Sequence, residues 1–326
     1  MTIKTLLAGI FVAGATMLSP ALAESLRLSH HHAVGGHLDQ TAAKFAELVS
    51  VKTKGEVTVE VFPAAQLAQE REGVDLLDQG IVDMTITSLA LMDRFWSPVA
   101  VTSLPFAWKS WEQADRALAA GVEATIAEGV MATSNIQILG IIGGGFRDMV
   151  FRGAPVTTVE GMSGLKMRSP ESPMWIRMFE LIDARPTPVT WGEIYTAMQT
   201  GVAEGLEAPP LSVTDAKLHE VVKSVVLTNH MFLTYALNVN ENKFEGLSDA
   251  HKAAVVEAGK EASAWSNEFA KSASEAAYAT MKSAGMTVVS PTNPAEWPVA
   301  MQPLWEESTA NNAEAQALLK QITSVE

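Results

Sequence analysis

Strand and helix patterns alternate along the first quarter of the chain after residue 24. Short apolar strand patterns occupy residues 26–29, 57–62 and 82–88. Between them, apolar residues recur at helical spacing in residues 37–51, and a second helical pattern covers residues 70–79. A β-α-β-α-β order is typical of a parallel sheet with helices on its faces. The sequence therefore predicts an α/β fold.

The length of the chain, 326 residues, suits two domains rather than one. A glycine run at 143–145 follows a predicted buried strand and interrupts the pattern, after which a second series of strands and helices begins. No low-complexity linker separates the two series, so we expect the chain to cross between domains more than once. The predicted domains are 24–144 plus about 233–272, and about 145–232 plus 273–326.

A long helix is predicted in the C-terminal third. Residues 248–284 contain no proline and are rich in Ala, Glu and Lys, and Gly285 follows them. A continuous helix of this length spans about 55 Å, which exceeds the width of a small domain. We therefore expect it to brace both domains, with Gly259 as a candidate bend.

The first 23 residues have the order of a secretory signal peptide. Lys4 supplies a positive charge, residues 6–18 form an apolar stretch too short for a stable membrane span, and Ala21 and Ala23 provide a small-x-small cleavage site. We expect cleavage after Ala23 and a mature chain that is not inserted in the membrane.

Composition narrows the compartment and the partners. The chain has no cysteine, which excludes thiol catalysis and suits a large exported α/β protein of the bacterial periplasm. Its formal net charge of −14 argues against nucleic acid and against an anionic membrane surface as partners.

Two arginines stand at predicted strand ends. Arg168 lies where the apolar residues of 164–167 give way to a Ser-Pro-Glu-Ser turn, and Arg147 follows the glycine run. Ligands bind at the carboxyl ends of strands in open α/β sheets, and a guanidinium matches the geometry of a carboxylate. The alternative for Arg168 is a structural Arg–Glu pair inside one domain.

Other motifs give weaker signals. His30, His31 and His32, with His37 nearby, suggest a metal site, but consecutive strand residues point to alternating faces, and we favour one histidine as a hydrogen-bonding group in a cleft. The glycine run at 143–145 lacks the lysine of a phosphate-binding loop, so we favour an interdomain crossing. We find no GxSxG motif and no pair of carboxylates marked out by spacing. We predict no metal, no cofactor and no catalysis.

Several segments, in this order, resemble the periplasmic substrate-binding proteins of tripartite ATP-independent periplasmic (TRAP) transporters, of the dicarboxylate- and sialic-acid-binding type. The segments that carry the resemblance are residues 63–67, 80–84, 104–106, 145–147, 164–168, 186–188, 193–202 and 204–207. The resemblance extends over essentially the whole chain after the signal segment. It implies a two-domain periplasmic binding protein (type II-like) with an interdomain cleft, hinge strands and a long bracing helix.

The resemblance also implies roles for individual residues. Arg168 matches the arginine that holds the ligand carboxylate, and Arg147 matches a second arginine of the cleft. The further positions that the resemblance implies are Glu70, Ser88, His31 and Trp191. Apart from the resemblance, we expect Phe146 to form an apolar wall and Tyr235 to line the site as well.

One position departs from the family pattern. Ala208 stands where the family usually has Asn, which removes a polar contact to the carboxylate. Either the ligand is bulkier at this point, or Asn238 or Tyr235 compensates.

The predicted function is the capture of a small organic acid by domain closure and its delivery to the membrane subunits of a TRAP-type permease. Two alternatives remain open at this point: an exported hydrolase acting on an anionic substrate, and the ligand-binding module of a periplasmic sensor. A cationic or amine ligand is a further alternative, because Glu70 and Glu207 can accept positive charge.

Overall fold

The computed structural model describes residues 24–325. The predicted signal peptide, residues 1–23, and the last residue lie outside the described part. Within it, the fold is the α/β architecture that the sequence predicts, built on one mixed sheet with helices on its faces.

The described part contains nine strands in one sheet, with the order β2-β1-β3-β8-β4-β7-β5-β6 and with β9 paired to β8. The strands are β1 (Glu24–His30), β2 (Val57–Phe62), β3 (Met84–Ser88), β4 (Ile136–Phe151), β5 (Lys166–Ser169), β6 (Arg185–Pro188), β7 (Gly205–Ala208), β8 (Ser224–Asn240) and β9 (Thr287–Val289). β1 is parallel to β2 and β3, and β5 is parallel to β6 and β7. The antiparallel pair of β4 and β8 joins these two parallel groups.

Twelve α-helices lie in the described part. They are α1 (His37–Lys52), α2 (Glu70–Asp78), α3 (Trp111–Ala117), α4 (Glu123–Met131), α5 (Pro173–Leu181), α6 (Ile194–Thr200), α7 (Pro210–Asp215), α8 (Glu241–Glu245), α9 (Asp249–Ser283), α10 (Glu296–Met301), α11 (Pro303–Thr309) and α12 (Ala313–Thr323). We call the β2-β1-β3 side with α1 and α2 the first lobe. The β7-β5-β6 side with α5, α6 and α7 is the second lobe.

Two of the apolar clusters each belong to one lobe, and a third, larger one extends from α2 into α5 and so includes residues of both lobes. In the first lobe, Leu28 of β1 and Phe45 of α1 are buried in one cluster together with Leu237 of β8. In the second lobe, Leu206 of β7 and Met198 of α6 belong to another cluster. The last helix, α12, packs against the short helical segment Ser97–Ser103 and against α3, so the C-terminal residues return to the first-lobe side.

The two central strands are longer than the sequence predicts. The glycine run at 143–145 does not end a strand, because β4 passes through it for 16 residues. The glycines serve packing: a Cβ on Gly143 would lie 2.6 Å from the Trp111 ring, and one on Gly144 would lie 2.6 Å from the Tyr235 ring. β8 likewise continues over 17 residues, where the sequence predicts two separate strands at 222–227 and 234–239. The register of the pair shifts between Gly143 and Gly145 and between Arg147 and Met149, near the crossing from lobe to lobe.

The predicted long helix is confirmed as α9, which has 35 residues and is capped by the Ser248 side chain. It contacts α1 and β4 as well as α7 and β9, and therefore packs on both lobes. Gly259 allows close packing, because a Cβ there would lie 2.7 Å from the Cβ of Leu139.

Candidate ligand-binding site

A small cavity lies between the lobes, at the carboxyl ends of the parallel strands β1, β3 and β5. This is the edge where open α/β sheets bind ligands. The lining residues are His31, Glu70, Ser88, Leu91, Arg147, Arg168, Pro170, Trp175, Trp191, Ser212, Leu233 and Tyr235. The cavity has a volume of about 30 Å³, which holds a few water molecules at most. Its walls therefore approach one another closely.

Arg168 is a buried cation of the second lobe. It lies in β5 with a relative exposure of 3%, its Nε donates to the carbonyl oxygen of Val189 at 2.9 Å, and its guanidinium lies 5.7 Å from the centre of the Trp191 ring. Among residues 24–325, no carboxylate forms an ion pair with it. Burial lowers the pKa of Arg168 to about 10, although the charge of Glu207 opposes the change. A buried charge of this kind is costly unless an anion accompanies it.

Arg147 is neutralised by the protein itself. Its Nε and one terminal nitrogen donate to the two carboxylate oxygens of Glu207, and the same nitrogen donates to the Glu207 carbonyl oxygen at 2.8 Å. His230 Nε2 lies 3.5 Å from Glu207 Oε2. Burial alone would raise the pKa of Glu207, but Arg147 and His230 outweigh it and hold that pKa below its usual value. Arg147 lines the cavity, yet its charge is already balanced.

The opposite wall is built by His31, Glu70 and Ser88. The backbone N–H of Ser88 donates to Glu70 Oε1 at 2.6 Å, which fixes the carboxyl group at the start of α2. His31 Nε2 lies 3.6 Å from Glu70 Oε2. Burial lowers the pKa of His31, and Glu70 only partly opposes this. The wall therefore offers hydrogen-bonding groups around one acidic side chain.

Aromatic rings close the cavity between the lobes. Trp191 of the second lobe stacks on His32 of the first, with ring centres 5.6 Å apart and planes 17° apart. Tyr235 on β8 lies within hydrogen-bonding distance of His32, with 3.2 Å between Oη and Nε2. Burial, together with the neighbouring histidines, holds the pKa of His32 well below its usual value.

Residues 28–312 match the sequence profile of the bacterial extracellular solute-binding proteins of family 7. The chain belongs to this family.

Relatives of this family 7 protein are known with and without a bound ligand. The C4-dicarboxylate-binding periplasmic protein DctP of Rhodobacter capsulatus is 32% identical over 327 residues, 95% of this chain and 96% of the relative. A TRAP periplasmic solute-binding protein of Roseobacter denitrificans with bound β-D-glucuronate is 26% identical, with a TM-score of 0.89 over 93% of this chain and 100% of the other. The open, ligand-free form of a Rhodobacter sphaeroides relative is 27% identical, with a TM-score of 0.77 over 93% and 100%.

Membership of the family makes this chain a binding protein of a transport system and not an enzyme, which removes the exported hydrolase as an alternative. The family is periplasmic. Within residues 24–325, no helix has the length and apolar character needed to cross a membrane.

Seven of the nine residues expected at the site line the cavity, and two do not. Phe146 points to the other side of β4 from Arg147, because successive strand residues face opposite sides. It packs on Phe232, with ring centres 5.0 Å apart, and lines a separate groove. Ala208 follows Glu207 in β7 and by the same alternation lies in the second-lobe core. Neither residue therefore forms part of this cavity.

Asn238 does not replace the polar contact that Ala208 lacks. Its side-chain amide donates to the carbonyl oxygen of Ala236 at 2.9 Å and lies 3.3 Å from the hydroxyls of Thr85 and Thr87, away from the cavity. Of the two compensating residues considered from the sequence, only Tyr235 reaches the cavity.

The histidine run does not form a metal site in the described part of the chain, where no group of three or more potential ligands converges. His30 instead pairs with Asp39 at 3.3 Å, and His37 bonds to Ser266 at 2.7 Å. Only His31 of the four lines the cavity.

Some lining residues had no signal in the sequence. Leu91 and Leu233 look like ordinary core residues, and Ser212 sits in a short helix after two prolines with no motif around it. Trp175 differs from these residues: its place near the start of a predicted helix left open from the sequence whether its ring faces the cleft, and it does line the cavity. The pairing of Glu207 with Arg147 required knowing that β7 lies beside β4.

Proposed function

We propose that this protein captures a small monocarboxylate with several hydroxyl groups in the periplasm and delivers it to the membrane subunits of a TRAP-type permease. Arg168 holds the ligand carboxylate. Glu70, Ser88 and His31 contact the hydroxyl groups at the other end, and Trp191 covers the body of the ligand.

The observation that carries this proposal is the unpaired charge of Arg168. A buried guanidinium that faces a cavity, with no carboxylate partner among residues 24–325, is suited to an anionic ligand. Its planar donor fork matches the two oxygens of a carboxylate.

The charges around the cavity favour one carboxylate over two. The ion pair of Arg147 and Glu207 contributes no net charge, so Arg168 is the cation left for a ligand. The other wall carries the acidic side chain of Glu70. A second carboxylate at that end of the ligand would face a like charge, whereas hydroxyl groups would donate hydrogen bonds to it. A cationic ligand is disfavoured because Glu207 is already occupied by Arg147.

The similarities are consistent with this ligand class. The glucuronate-bound relative holds a monocarboxylate with several hydroxyls, while the curated relative from Rhodobacter capsulatus is named for C4-dicarboxylates. Identity is higher to the C4-dicarboxylate-binding relative, 32% against 26%, so the preference for a monocarboxylate rests on the cavity charges and not on identity.

Closure of the two lobes is the proposed way of capture. The TM-score is higher to the glucuronate-bound relative than to the open ligand-free one, 0.89 against 0.77, and the cavity is too small for a sugar acid to enter without separation of its walls. We assign the moving bodies to residues 24–144 plus about 233–272 and about 145–232 plus 273–312. The sequence places α12 in the second body, but this helix packs against Ser97–Ser103 and α3 and therefore moves with the first. Export would require removal of residues 1–23, with cleavage after Ala23.

The test is titration calorimetry on the chain from residue 24 onward. D-glucuronate and D-galacturonate should bind at least tenfold more tightly than succinate. Tighter binding of succinate, or heat from none of the three, would contradict the proposed ligand class.

The Glu70→Gln variant tests the reason for this preference. Glutamine keeps an oxygen that can accept from the Ser88 N–H but removes the negative charge, so succinate affinity should rise by about tenfold, or about 1.4 kcal/mol. Glu72→Gln, which removes an exposed charge in the same turn of α2, is the matched control and should leave the ratio of the two affinities unchanged.

A further inference from the structure

Asp215 joins the two lobes outside the ligand cavity. It is the last residue of α7 in the second lobe, and its Oδ2 accepts a hydrogen bond from the backbone N–H of His37 at 2.7 Å. His37 is the first residue of α1 in the first lobe. The carboxylate of one lobe therefore caps a helix of the other.

The N-terminus of α1 lacks a cap of its own. The residue at the capping position is Gly36, which has no side chain to accept from the first N–H groups of the helix. Asp39 accepts instead from the N–H of Gly35, which precedes the helix, at 2.7 Å. The N–H of His37 is thus satisfied by Asp215, 178 residues further along the chain.

Each partner is fixed in its own lobe. The side chain of His37 bonds to Ser266 of α9, and Leu38 and Phe45 of α1 lie in the first-lobe core. On the other side, Val213 of α7 lies in the second-lobe core. Separation of the lobes would therefore pull the carboxylate from the helix end, while His37 and Asp215 each stay with their own lobe.

Gly36 makes room for this contact. A Cβ at this position would lie 3.1 Å from Asp215 Oδ2 and 3.4 Å from its Cβ. The backbone of Gly36, with φ −75° and ψ 175°, is open to any residue, so the space and not the conformation favours glycine.

We propose that Asp215 is a positioning residue that stabilises the closed state by capping α1 across the cleft, and so raises ligand affinity without contacting the ligand. This rests on the proposed capture by lobe closure. Asp215 does not line the cavity, and no cation forms an ion pair with it among the described residues. The positive end of the α1 dipole is its counterpart.

An uncharged side chain that accepts the hydrogen bond from the His37 N–H should cap α1 as well as the carboxylate of Asp215 does. Burial raises the pKa of Asp215, and the bond from His37 only partly opposes this, so the charge itself is costly in the closed state. Asparagine is as good an N-cap as aspartate and has no charge to bury. Asp215→Asn should therefore retain closure, while Asp215→Ala should lose it.

The test measures lobe separation directly. Because the chain has no cysteine, spin labels can be attached at Glu47→Cys on α1 and Glu180→Cys on α5, both exposed, and the distance between them followed by pulsed electron paramagnetic resonance. Affinity for D-glucuronate is measured on the same variants without labels. Asp249→Ala, at an exposed position in the first turn of α9, removes the same charge near a helix start and is the matched control.

Asp215→Ala should lower the ratio of closed to open molecules and weaken D-glucuronate binding by about three- to tenfold, the usual effect of losing an N-cap. Asp215→Asn and Asp249→Ala should stay within about twofold of the unmodified protein. Without ligand, the stability of Asp215→Ala should change little, because the cap is absent in the open state. If Asp215 had a purely structural role, its replacement would lower that stability and leave the distances between the labels unchanged.

The Gly36→Ala variant adds an independent check. Its Cβ should push Asp215 away and weaken closure, and the double variant Gly36→Ala/Asp215→Ala should lose less than the sum of the two single losses, since the obstructed carboxylate is gone. Distance distributions that are the same in the unmodified protein and in Asp215→Ala would overturn the proposal. If D-glucuronate does not bind the unmodified protein, the proposed ligand class fails, and the ligand-free distances alone decide on Asp215.

Discussion

The two walls of the cavity respond to burial in opposite ways. On one wall Arg168 remains a cation at neutral pH, because burial lowers its pKa only to about 10. On the other, burial lowers the pKa of His31 in the wall and of His32 behind it, and because the usual pKa of histidine lies close to neutrality, these imidazoles lose their charge. The starting pKa of each residue type therefore decides which charges an enclosed site keeps.

A second contrast exists within the arginine wall. Arg168 has no carboxylate partner in the described part of the chain, whereas Arg147 is held by Glu207. Both are buried and both line the cavity. We infer that Arg168 serves the ligand and that Arg147 serves the fold at the crossing between the lobes.

Replacement of Arg168 should have the largest effect. Arg168→Ala should weaken monocarboxylate binding by about 3–5 kcal/mol, since the ligand carboxylate would be buried without a partner. Arg168→Lys should also bind much more weakly, because the planar fork is lost. Titration calorimetry with D-glucuronate measures both.

If Arg168 serves the ligand and not the fold, its replacement should weaken binding without lowering stability. The ligand-free protein should keep its stability in Arg168→Ala, because no internal ion pair is broken. Arg177→Ala removes an exposed arginine that pairs with Glu180 and Glu307 and should leave affinity unchanged. Near-native affinity in either Arg168 variant would refute its assignment.

Arg147→Ala should instead destabilise the ligand-free protein by about 3 kcal/mol, because Glu207 would remain buried without its counterion. Chemical denaturation without ligand measures this. The double variant Arg147→Met/Glu207→Leu, which removes both charges, should recover much of the loss. If Arg147→Ala keeps full stability and loses only affinity, the division of roles between the two arginines is wrong.

The smallest expected effect of a single replacement is on the pH dependence of stability, and it concerns the buried histidines behind the wall opposite Arg168. Burial lowers the pKa of His30 and of His37 to about 4, so between pH 6.5 and 5 the unfolded chain binds protons there that the folded protein does not. The free energy of unfolding therefore falls as the pH falls, by about 1.4 kcal/mol per pH unit for each histidine. His31 and His32, whose pKa burial also lowers, act in the same direction. Asp148, whose pKa burial raises to about 6, acts in the opposite direction and offsets about one histidine.

Urea denaturation at pH 6.5 and pH 5 measures the net slope. His37→Gln should reduce this slope by about the contribution of one histidine. Stability that is constant or higher at pH 5 would show that these imidazoles are protonated in the folded protein.

The local patterns of the sequence were sufficient for α1, α2 and α9 and for the first three strands. The alternation of β1, α1, β2, α2 and β3 and the proline-free run of α9 follow directly from periodicity. Strand-end patterns pointed to the two arginines of the cavity, and the family resemblance added four more of its lining residues.

The remaining features depend on contacts between distant residues. The glycine run at 143–145 suggested a break because glycine is unfavourable in strands, but rings of Trp111 and Tyr235 occupy the space that side chains would need. Phe146 and Ala208 were expected to line the cavity but lie on the other faces of their strands. Which face a strand residue occupies depends on the register, and a shift of one residue inverts it. The partner of Arg147 became visible only with the sheet order.

The helix α9 bears on how far the protein can open in the proposed capture. It is a rod of 35 residues, about 52 Å long, and it packs against elements of both lobes. A swing of one lobe would have to bend this rod or slide a lobe along it. We therefore expect the stiffness of a helix on the back of the molecule to limit the width of the open mouth, and hence the size of the solute that can enter.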